Sequence, residues 1–411
     1  MKILYVTASC LNRNTSANMS HNGYVQGLLE HGHDVDILMA KDSWGQEDAA
    51  LPTWEQATYF SYPSVAVQDR IREKVRAFFP TPAPAASAEG TCPEQAAQAP
   101  GKSGLKAGVR ALAKQMFYLC FPSDPLYPLE RTWLKKAAKF SSRAEYDLVI
   151  TNSTPAASHK LAGSLIEKGK LKCKRWVQIW EDPWYFDLYG GRSEEVRKEE
   201  HALLRSASEV YYVSPLTLKY QKQFYPDCAH KMKHIPLPYF DFSGSEGSGG
   251  GELSFGYFGD YYAQTRNLKP FYDALKKSGM RGYIYGDNDL NLPALERVVV
   301  SGRVTLDVLA QVQEKTDVLV HLSNLKGGQI PGKIYHYSAT SKPILFILDG
   351  TQEEQDILRA YFGKFHRFYF CENKTEEILS AMEAIRSDIA SGKTWSPLAE
   401  FSPKEVVATL F

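Results

Sequence analysis

Apolar residues along this chain fall in short runs separated by longer amphipathic stretches, the pattern of parallel strands joined by helices. KILYVT at residues 2–7 reads as a buried first strand, and after a polar loop GYVQGLLEHGH has the spacing of a helix closing at Gly32. DVDILMA is the next strand. Further on come the strand YDLVITNS, a helix through SHKLAGSLIEKG, the strand KRWVQIW, a helix around EEVRKEEHALLRSA, the strand EVYYVS and a helix from PLTLKYQKQF. A second series runs LSFGYFGD, helix, GYIYGD, helix, RVVVSG, helix, DVLVHLSN, loop, helix, KPILFIL, helix, RFYF, helix. Strand, helix, strand order implies right-handed crossovers in a parallel sheet. The expected fold class is therefore α/β, with two Rossmann-like, doubly wound domains facing a central cleft where ligands meet the carboxyl ends of the strands.

The expected division is an N-terminal domain over 1–240, a Gly/Ser-rich linker over 241–254, a C-terminal domain over 255–395 and a closing helix within 396–411 that crosses back to the first domain. The linker contains GSEGSGGG, five glycines in eight positions. In FSPKEVVATLF, Ser402 as N-cap, Pro403 at the first helical position and Glu405 form a capping box. Residues 80–104, rich in Pro, Ala, Gly and Ser, cannot bury enough apolar surface to order themselves and read as a mobile insertion. The following segment, 105–143, is basic and amphipathic. Two readings stand for it: a solvated helix face, or docking to an anionic membrane surface, where each basic residue contributes about 1 kcal/mol.

The 411 residues carry 48 Lys+Arg against 47 Asp+Glu, so whole-protein electrostatics do not suit a nucleic-acid binder, and no nucleic-acid partner is expected. Six scattered cysteines with no CxxC offer no structural zinc spacing and read as reduced thiols in a cytoplasmic protein. MKILYVTASC is a first strand rather than a secretory signal, and no run approaches the ~20 apolar residues of a membrane span. The expected location is cytoplasmic, peripheral at the inner face of the cell membrane. No glycine lies between Thr7 and Gly23, so the dinucleotide fingerprint is missing and NAD or FAD binding in the first half is not expected.

Three stretches hold candidate chemistry. In FGYFGDYYAQTRNLKPFYDAL, Gly259 stands at a turn and Arg266 at a helix start, where amides and a guanidinium suit phosphate oxygens; an ordinary surface arginine is the alternative. In NLKGGQIPGKIYHYSATSKPIL, Gly327, Gly328 and Gly332 form a loop turning into a helix near Pro331 that carries Lys333, so a diphosphate is the natural guest; a tight turn without ligand is the alternative. WVQIWEDPWYFDLYG puts Glu181 and Asp182 after a buried strand, able to orient or deprotonate a hydroxyl, with Trp180, Trp184 and Tyr185 as flat faces for a sugar or aglycone. Asp182 also suits a helix N-cap followed by Pro183.

With these residues in view, the chain resembles a GT-B glycosyltransferase of the family 4 type, on YDLVITNSTPAASHKLAGSL and EDPW, EEHALLRSASEVYYVS with KMKHIPLPYF, FGYFGDYYAQTRNLKPFYDAL, and PGKIYHYSATSKPIL. The resemblance implies retaining, metal-independent transfer of a hexosyl group from a nucleotide-diphosphate sugar, with UDP as the expected nucleotide and no cofactor. A saccharide or lipid-linked acceptor would sit on the N-terminal domain, as in cell-surface polysaccharide synthesis. It further implies that Gly259, Asp260, Arg266, Gly328 and Lys333 face the donor, Gly302 and Arg303 lie where the base is read, and Gln329 and Ile330 offer backbone amides. Glu181, Asp182 and Trp184 stand on the acceptor side, with Asp182, Arg266 and Lys333 as the catalytic set.

Two departures qualify this picture. Gly328 and His336 occupy the places of the family's paired glutamates, and a neutral His336 could accept ribose hydroxyls through one ring nitrogen. Lys269 lies nearer to Arg266 than the family's lysine, leaving Lys333 to act alone. The DND at residues 287–289 reads as a surface turn, and no metal site is expected. Two other readings are an epimerase using the same cleft and a non-catalytic relative that binds a nucleotide sugar or a partner protein.

Overall fold

The computed structural model describes residues 1–41, 47–48, 51–65, 126–187, 193–240 and 252–411. The expected mobile insertion at 80–104, the first part of the basic segment and the glycines of the linker lie outside the described residues.

The first sheet is built from β1 (Lys2–Thr7), β2 (Asp34–Lys41), β3 (Thr58–Pro63), β4 (Glu145–Ser153), β5 (Lys172–Trp180), β6 (Glu209–Tyr212) and β7 (Met232–His234). Its helices are α1 (Ser16–Glu30), α2 (Arg131–Ala137), α3 (Ala157–Glu167), α4 (Glu194–Ser206) and α5 (Pro215–Phe224). The strands pair in parallel in the order β3-β2-β1-β4-β5-β6-β7, so the direction of winding reverses between β1 and β4. The second sheet holds β8 (Ser254–Phe258), β9 (Arg281–Tyr285), β10 (Val298–Ser301), β11 (Val318–Leu322), β12 (Ile344–Leu348) and β13 (Phe368–Glu372), with α6 (Lys269–Ser278), α7 (Leu306–Lys315), α8 (Lys333–Ser338), α9 (Gln352–Gly363), α10 (Thr375–Ala390) and α11 (Pro403–Ala408). Its order is β10-β9-β8-β11-β12-β13, with the reversal between β8 and β11.

Strands β8, β11 and β12 are buried at every position, as expected of parallel strands covered on both faces. Helix ends follow local chemistry. Thr15 accepts from Asn18 N at the start of α1, Gly32 takes φ +73° just after its end, and Ser402 accepts from Glu405 N at the start of α11.

Three apolar cores result. One, with Trp133, Trp176, Trp180 and Leu204, covers the outer face of the first sheet, and another, with Phe271, Leu275 and Ile378, covers the outer face of the second. The third is shared: Ile37, Val213, Leu216 and Leu237 of the first half pack in one cluster with Ile330, Ile334, Tyr335 and Phe346 of the second. Tyr335 also donates its hydroxyl to the Val213 carbonyl at 3.2 Å. Helix α11 lies on α1 so closely that a β-carbon at Gly27 would stand 2.1 Å from the Pro403 carbonyl oxygen.

Several local expectations are corrected. No helix joins β9 to β10; Asn288 accepts from Asn291 N, Asn291 takes φ +48° and the chain stays irregular, because turn-forming side chains outcompete helix there. Strands β3 and β7 are additional edge strands, short and only partly buried. In the described part of the basic segment, α2 spends its apolar side on the core through Trp133 and Ala137, followed by Phe140; exposed Arg131, Lys135, Lys136, Lys139 and Arg143 leave charge, not an apolar face, at the surface. No described helix is long and apolar enough to cross a membrane.

Candidate functional site

The loops after β8 and β11 meet at the reversal point of the second sheet, where open α/β sheets place ligands. Gly259 N donates to the Tyr285 carbonyl at 2.9 Å, and Gly286, at φ +153°, passes so near that a β-carbon on it would be 2.0 Å from the Gly259 oxygen. This crossing brings Asp260 to the ends of β9 and β10. Its carboxylate accepts from Asp287 N at 3.0 Å and from the Arg303 guanidinium, which also contacts Asp287 at 3.1 Å. Burial alone would raise the Asp260 carboxyl; the Arg303 and Asp287 bonds outweigh it and hold it below its ordinary range. The expected base-reading Arg303 is thus paired within the fold, and Gly302 beside it is open, its nearest neighbour being Asp287.

Arg266 differs in setting from the expected helix start. Its N–H closes a turn onto the Tyr262 carbonyl at 2.8 Å, and α6 begins only at Lys269, because Pro270 sits in its first turn and Asn267 Oδ1 accepts from Lys269 N. The neighbouring loop is tied to this turn through Leu325 N donating to the Thr265 carbonyl at 2.7 Å. The guanidinium bonds the Tyr257 phenol, whose pKa burial pushes up to about 12 against the pull of that cation. His321, on β11, is pushed down to about 3 by burial and by Arg266, so it stands neutral. Lys269 is outside this group, exposed and paired with Asp273 at 2.8 Å.

Lys333, at the first position of α8, completes the cation set. Burial pushes its ammonium down to about 8, and the charges acting on it are Asp260, Arg303 and Arg266. No side chain among the described residues bonds it. Asp260, itself paired with Arg303, offsets this cation only in part, and a desolvated cation so placed is costly until an anion arrives to neutralise it.

The loop carrying Gly328 and Gln329 docks on the first half. Gly328 O accepts from Ser214 Oγ and from Thr217 Oγ1 at 2.9 Å, Asn324 Nδ2 donates to Gln329 O at 3.0 Å, and Gln329 Nε2 donates to Asp182 Oδ1 at 2.6 Å. Ile330 packs into the shared core. A β-carbon at Gly328 would stand 2.7 Å from Thr217 N, so no glutamate fits there. His336 Nδ1 accepts from Phe240 N at 3.3 Å, and burial pushes the ring to about 4. The neutral ring then carries its proton on Nε2, which donates to a hydroxyl oxygen instead of accepting from it. This reverses the expected polarity of any contact to a ribose.

On the first half, Glu181 and Asp182 follow Trp180 at the carboxyl end of β5. No helix starts at Pro183, because the amides that an Asp182 cap would need are held elsewhere: buried Glu200 of α4 accepts from Trp184 N and Tyr185 N, each at 3.0 Å, and from Gln221 Nε2 and the Tyr225 hydroxyl. Burial pushes Asp182 up to about 7, the Gln329 bond opposing and Asp187 and Glu181 reinforcing the shift. Glu181 is raised by burial and pulled back by His21. Trp184 tilts over Tyr127 with ring centroids 5.2 Å apart. His21, Glu200, Ser214 and Thr217 were not among the sequence candidates. The signal for His21 was present in α1, where Asn18, His21 and Asn22 put a polar stripe at helical spacing on a buried face.

The DND acids are spent on the loop itself, Asp287 on Arg303 and Asp289 on Ala263 N at 2.9 Å. Among the described residues, His201, Asp227 and Cys228 stand close enough to share a metal ion. There His201 is already 2.9 Å from Asp227, and Arg205 and Lys231 add positive charge that disfavours a further cation.

No protein-family model matches this chain, and no curated protein matches it in sequence. Among solved structures, a glycosyltransferase from Rickettsia africae ESF-5 aligns over 99% of this chain and 91% of its own, with TM-score 0.52 at 10% identity. The fold is GT-B. The apo lipopolysaccharide outer core galactosyltransferase WaaB aligns over 100% of both chains with TM-score 0.46 at 11% identity. Arabidopsis thaliana UGT89C1 complexed with UDP aligns over 100% of this chain and 93% of its own, with TM-score 0.48 at 12% identity. At 10% identity the Rickettsia likeness bears on the fold alone, and GT-B here means two parallel sheets of seven and six strands.

Proposed function

We propose that this chain is a glycosyltransferase that moves a hexosyl group from a nucleotide-diphosphate sugar, with UDP as the nucleotide, to a saccharide or lipid-linked acceptor. The observation that carries the reading is Lys333, a desolvated ammonium drawn down to about 8 and lying in the field of Arg266 and Arg303. Three cations against Asp260 and Asp287 suit a diphosphate. On this reading Arg266 and Lys333 neutralise the leaving group, so that the anomeric C–O bond breaks with its electron pair passing to the diphosphate without a metal. The acceptor oxygen, oriented beside Asp182 and Glu181, bonds to the anomeric carbon, and its proton passes to the departing phosphate, with retention as the family 4 resemblance implies. Trp184 offers the acceptor a flat face. The exposed charges around α2 fit an anionic membrane surface bearing a lipid-linked acceptor.

Two observations favour a second reading, a non-catalytic nucleotide-sugar binder: Gly328 has no room for a larger residue, and the accepting nitrogen of His336 is taken by Phe240 N. Titration calorimetry with UDP, GDP, ADP and CMP, followed by product analysis with the matching sugar donors, separates the two. The transferase reading expects one diphosphate to bind, Arg266→Ala to lose at least tenfold in affinity, and a glycosylated product to form. Binding without any product under a broad acceptor panel supports the second reading, and no binding at all defeats both.

A further inference from the structure

We infer that His21 is a positioning residue for sugar transfer, fixing Glu181 at the end of β5 so that the outer carboxylate oxygen Oε2 receives the acceptor hydroxyl. The inference rests on the sugar-transfer reading of the cleft.

A carboxylate only accepts, so the imidazole nitrogen that faces Glu181 is the one to carry the proton. The Thr7 hydroxyl, which accepts from Ser9 N at 3.2 Å, can then donate to His21 Nδ1, 3.1 Å away. A ring accepting at Nδ1 carries its proton on Nε2, and Nε2 lies 3.2 Å from Glu181 Oε1, within ion-pair reach but short of hydrogen-bond geometry, with neither atom hydrogen-bonded to another group. Tyr5 meets the same ring edge-on at 6.3 Å. The ring is 0% exposed and cannot reach a substrate, whereas the Glu181 side chain keeps 10% exposure although Oε1 is buried. Asp182, one residue on, has Oδ1 engaged by Gln329.

The neighbouring polar residues of α1 have a different task. Asn18 bonds the carbonyls of Cys10 and Arg13, and Asn22 bonds that of Leu11, so both tie down the loop after β1. His21 bonds no backbone group. An apolar side chain would fill its space without the cost of burying two ring nitrogens, so its placement serves the carboxylate. The other ionisable groups coupled to Glu181 are Tyr5 of β1, Tyr24 of α1 and the adjacent Asp182.

The test compares the full chain with His21→Gln, His21→Leu and Glu181→Gln. UDP affinity by calorimetry reports the donor half alone. Release of UDP from UDP-glucose, UDP-galactose and UDP-N-acetylglucosamine with saccharide acceptors reports transfer across a pH series, and nitrogen-15 NMR of the His21 ring reports its tautomer. The expected result is an Nε2-protonated ring, UDP affinity within about twofold of wild type in every variant, and at least tenfold slower release in His21→Leu. The acid limb of its pH profile should move upward, because Glu181 loses the group that draws its pKa down. His21→Gln, which puts an amide N–H near the Nε2 position, should recover much of the rate. An Nδ1-protonated ring, or UDP binding with undiminished release in His21→Leu, overturns the proposal alone. Equal losses in the Leu and Gln variants with an unmoved pH profile reduce His21 to packing and overturn it as well. A wild-type chain that binds none of UDP, GDP, ADP and CMP overturns the sugar-transfer reading, and this inference with it.

Discussion

Gln329 donates its side-chain amide to Asp182 Oδ1 at 2.6 Å, joining the loop after β11 to the loop after β5 across 147 positions of sequence. This bond is where the donor-side and acceptor-side candidates meet. It also ties the position of one half of the molecule to the protonation state of a single carboxyl.

Asp182 should leave a signature in the pH dependence of stability. Its carboxyl is raised from 3.8 to about 7, chiefly by burial. The folded chain therefore keeps a proton that the unfolded chain releases between about pH 4 and 7, and stability falls as pH rises through that window and levels off above it. The slope from this group is at most about 1.4 kcal/mol per pH unit. Asp182→Asn should flatten it, and Gln329→Leu, which removes the opposing bond, should extend it to higher pH. Urea denaturation of the three proteins across the window reads the difference; identical slopes would count against a buried Asp182.

Replacing Lys333 should improve stability while impairing binding. A lysine whose folded pKa is depressed from 10.5 to about 8 costs stability at neutral pH, and that cost fades as pH rises from the folded towards the unfolded value. Lys333→Met, similar in volume, is expected to gain about 1–2 kcal/mol at pH 7, the partial solvent contact of the side chain keeping the gain modest. UDP affinity should fall at least tenfold in the same variant. Thermal denaturation with and without UDP checks both signs, and a variant that is both less stable and equally tight would contradict the site.

Glu200 holds the acceptor-side loop through four donors. Glu200→Leu strands them and should cost about 3–5 kcal/mol, whereas Glu200→Gln keeps an acceptor and should cost less than half as much. Denaturant titration gives the cost. Tryptophan fluorescence should report Trp184 in a wetter setting in the Leu variant even below its unfolding transition.

Gly328 sets how closely the halves dock. A β-carbon there meets Thr217 N at 2.7 Å and its Cα at 2.9 Å, so Gly328→Ala must push the loop off the start of α5. The expected cost is about 1–3 kcal/mol, as for an overpacked core. Small-angle scattering should detect a wider separation of the two halves, and an unchanged profile with unchanged stability would refute the contact.

Much of the fold was legible because its signals are local. The stretches VLV and ILFIL within DVLVHLSN and KPILFIL are unbroken apolar runs, as a strand covered on both faces requires, and Gly32 and Ser402 mark helix ends through their own backbone and side-chain chemistry. The edge strand TYFSYP alternates weakly because one side meets solvent, and for that reason it was passed over; the turn-rich NDLNLP stretch after β9 carries no strand or helix period and was misread as a helix.

The sequence by itself determined the two series of parallel strands, the glycine-bearing loops at their ends and the presence of Arg266, Lys333, Glu181 and Asp182 in those loops. Only the tertiary structure decided what these groups do to one another. Asp182 is bound by Gln329, the glycine at 328 is required by Thr217, the loop amides are captured by Glu200, and Glu181 faces His21. All but the Glu200 contacts join residues more than a hundred positions apart, and Glu200 reaches amides 15 and 16 positions away, so no local period or cap encodes them. The pKa of Asp182 and of Lys333 departs from the ordinary value because of burial, which exists only once the two halves have closed the shared core around Tyr335 and Ile330.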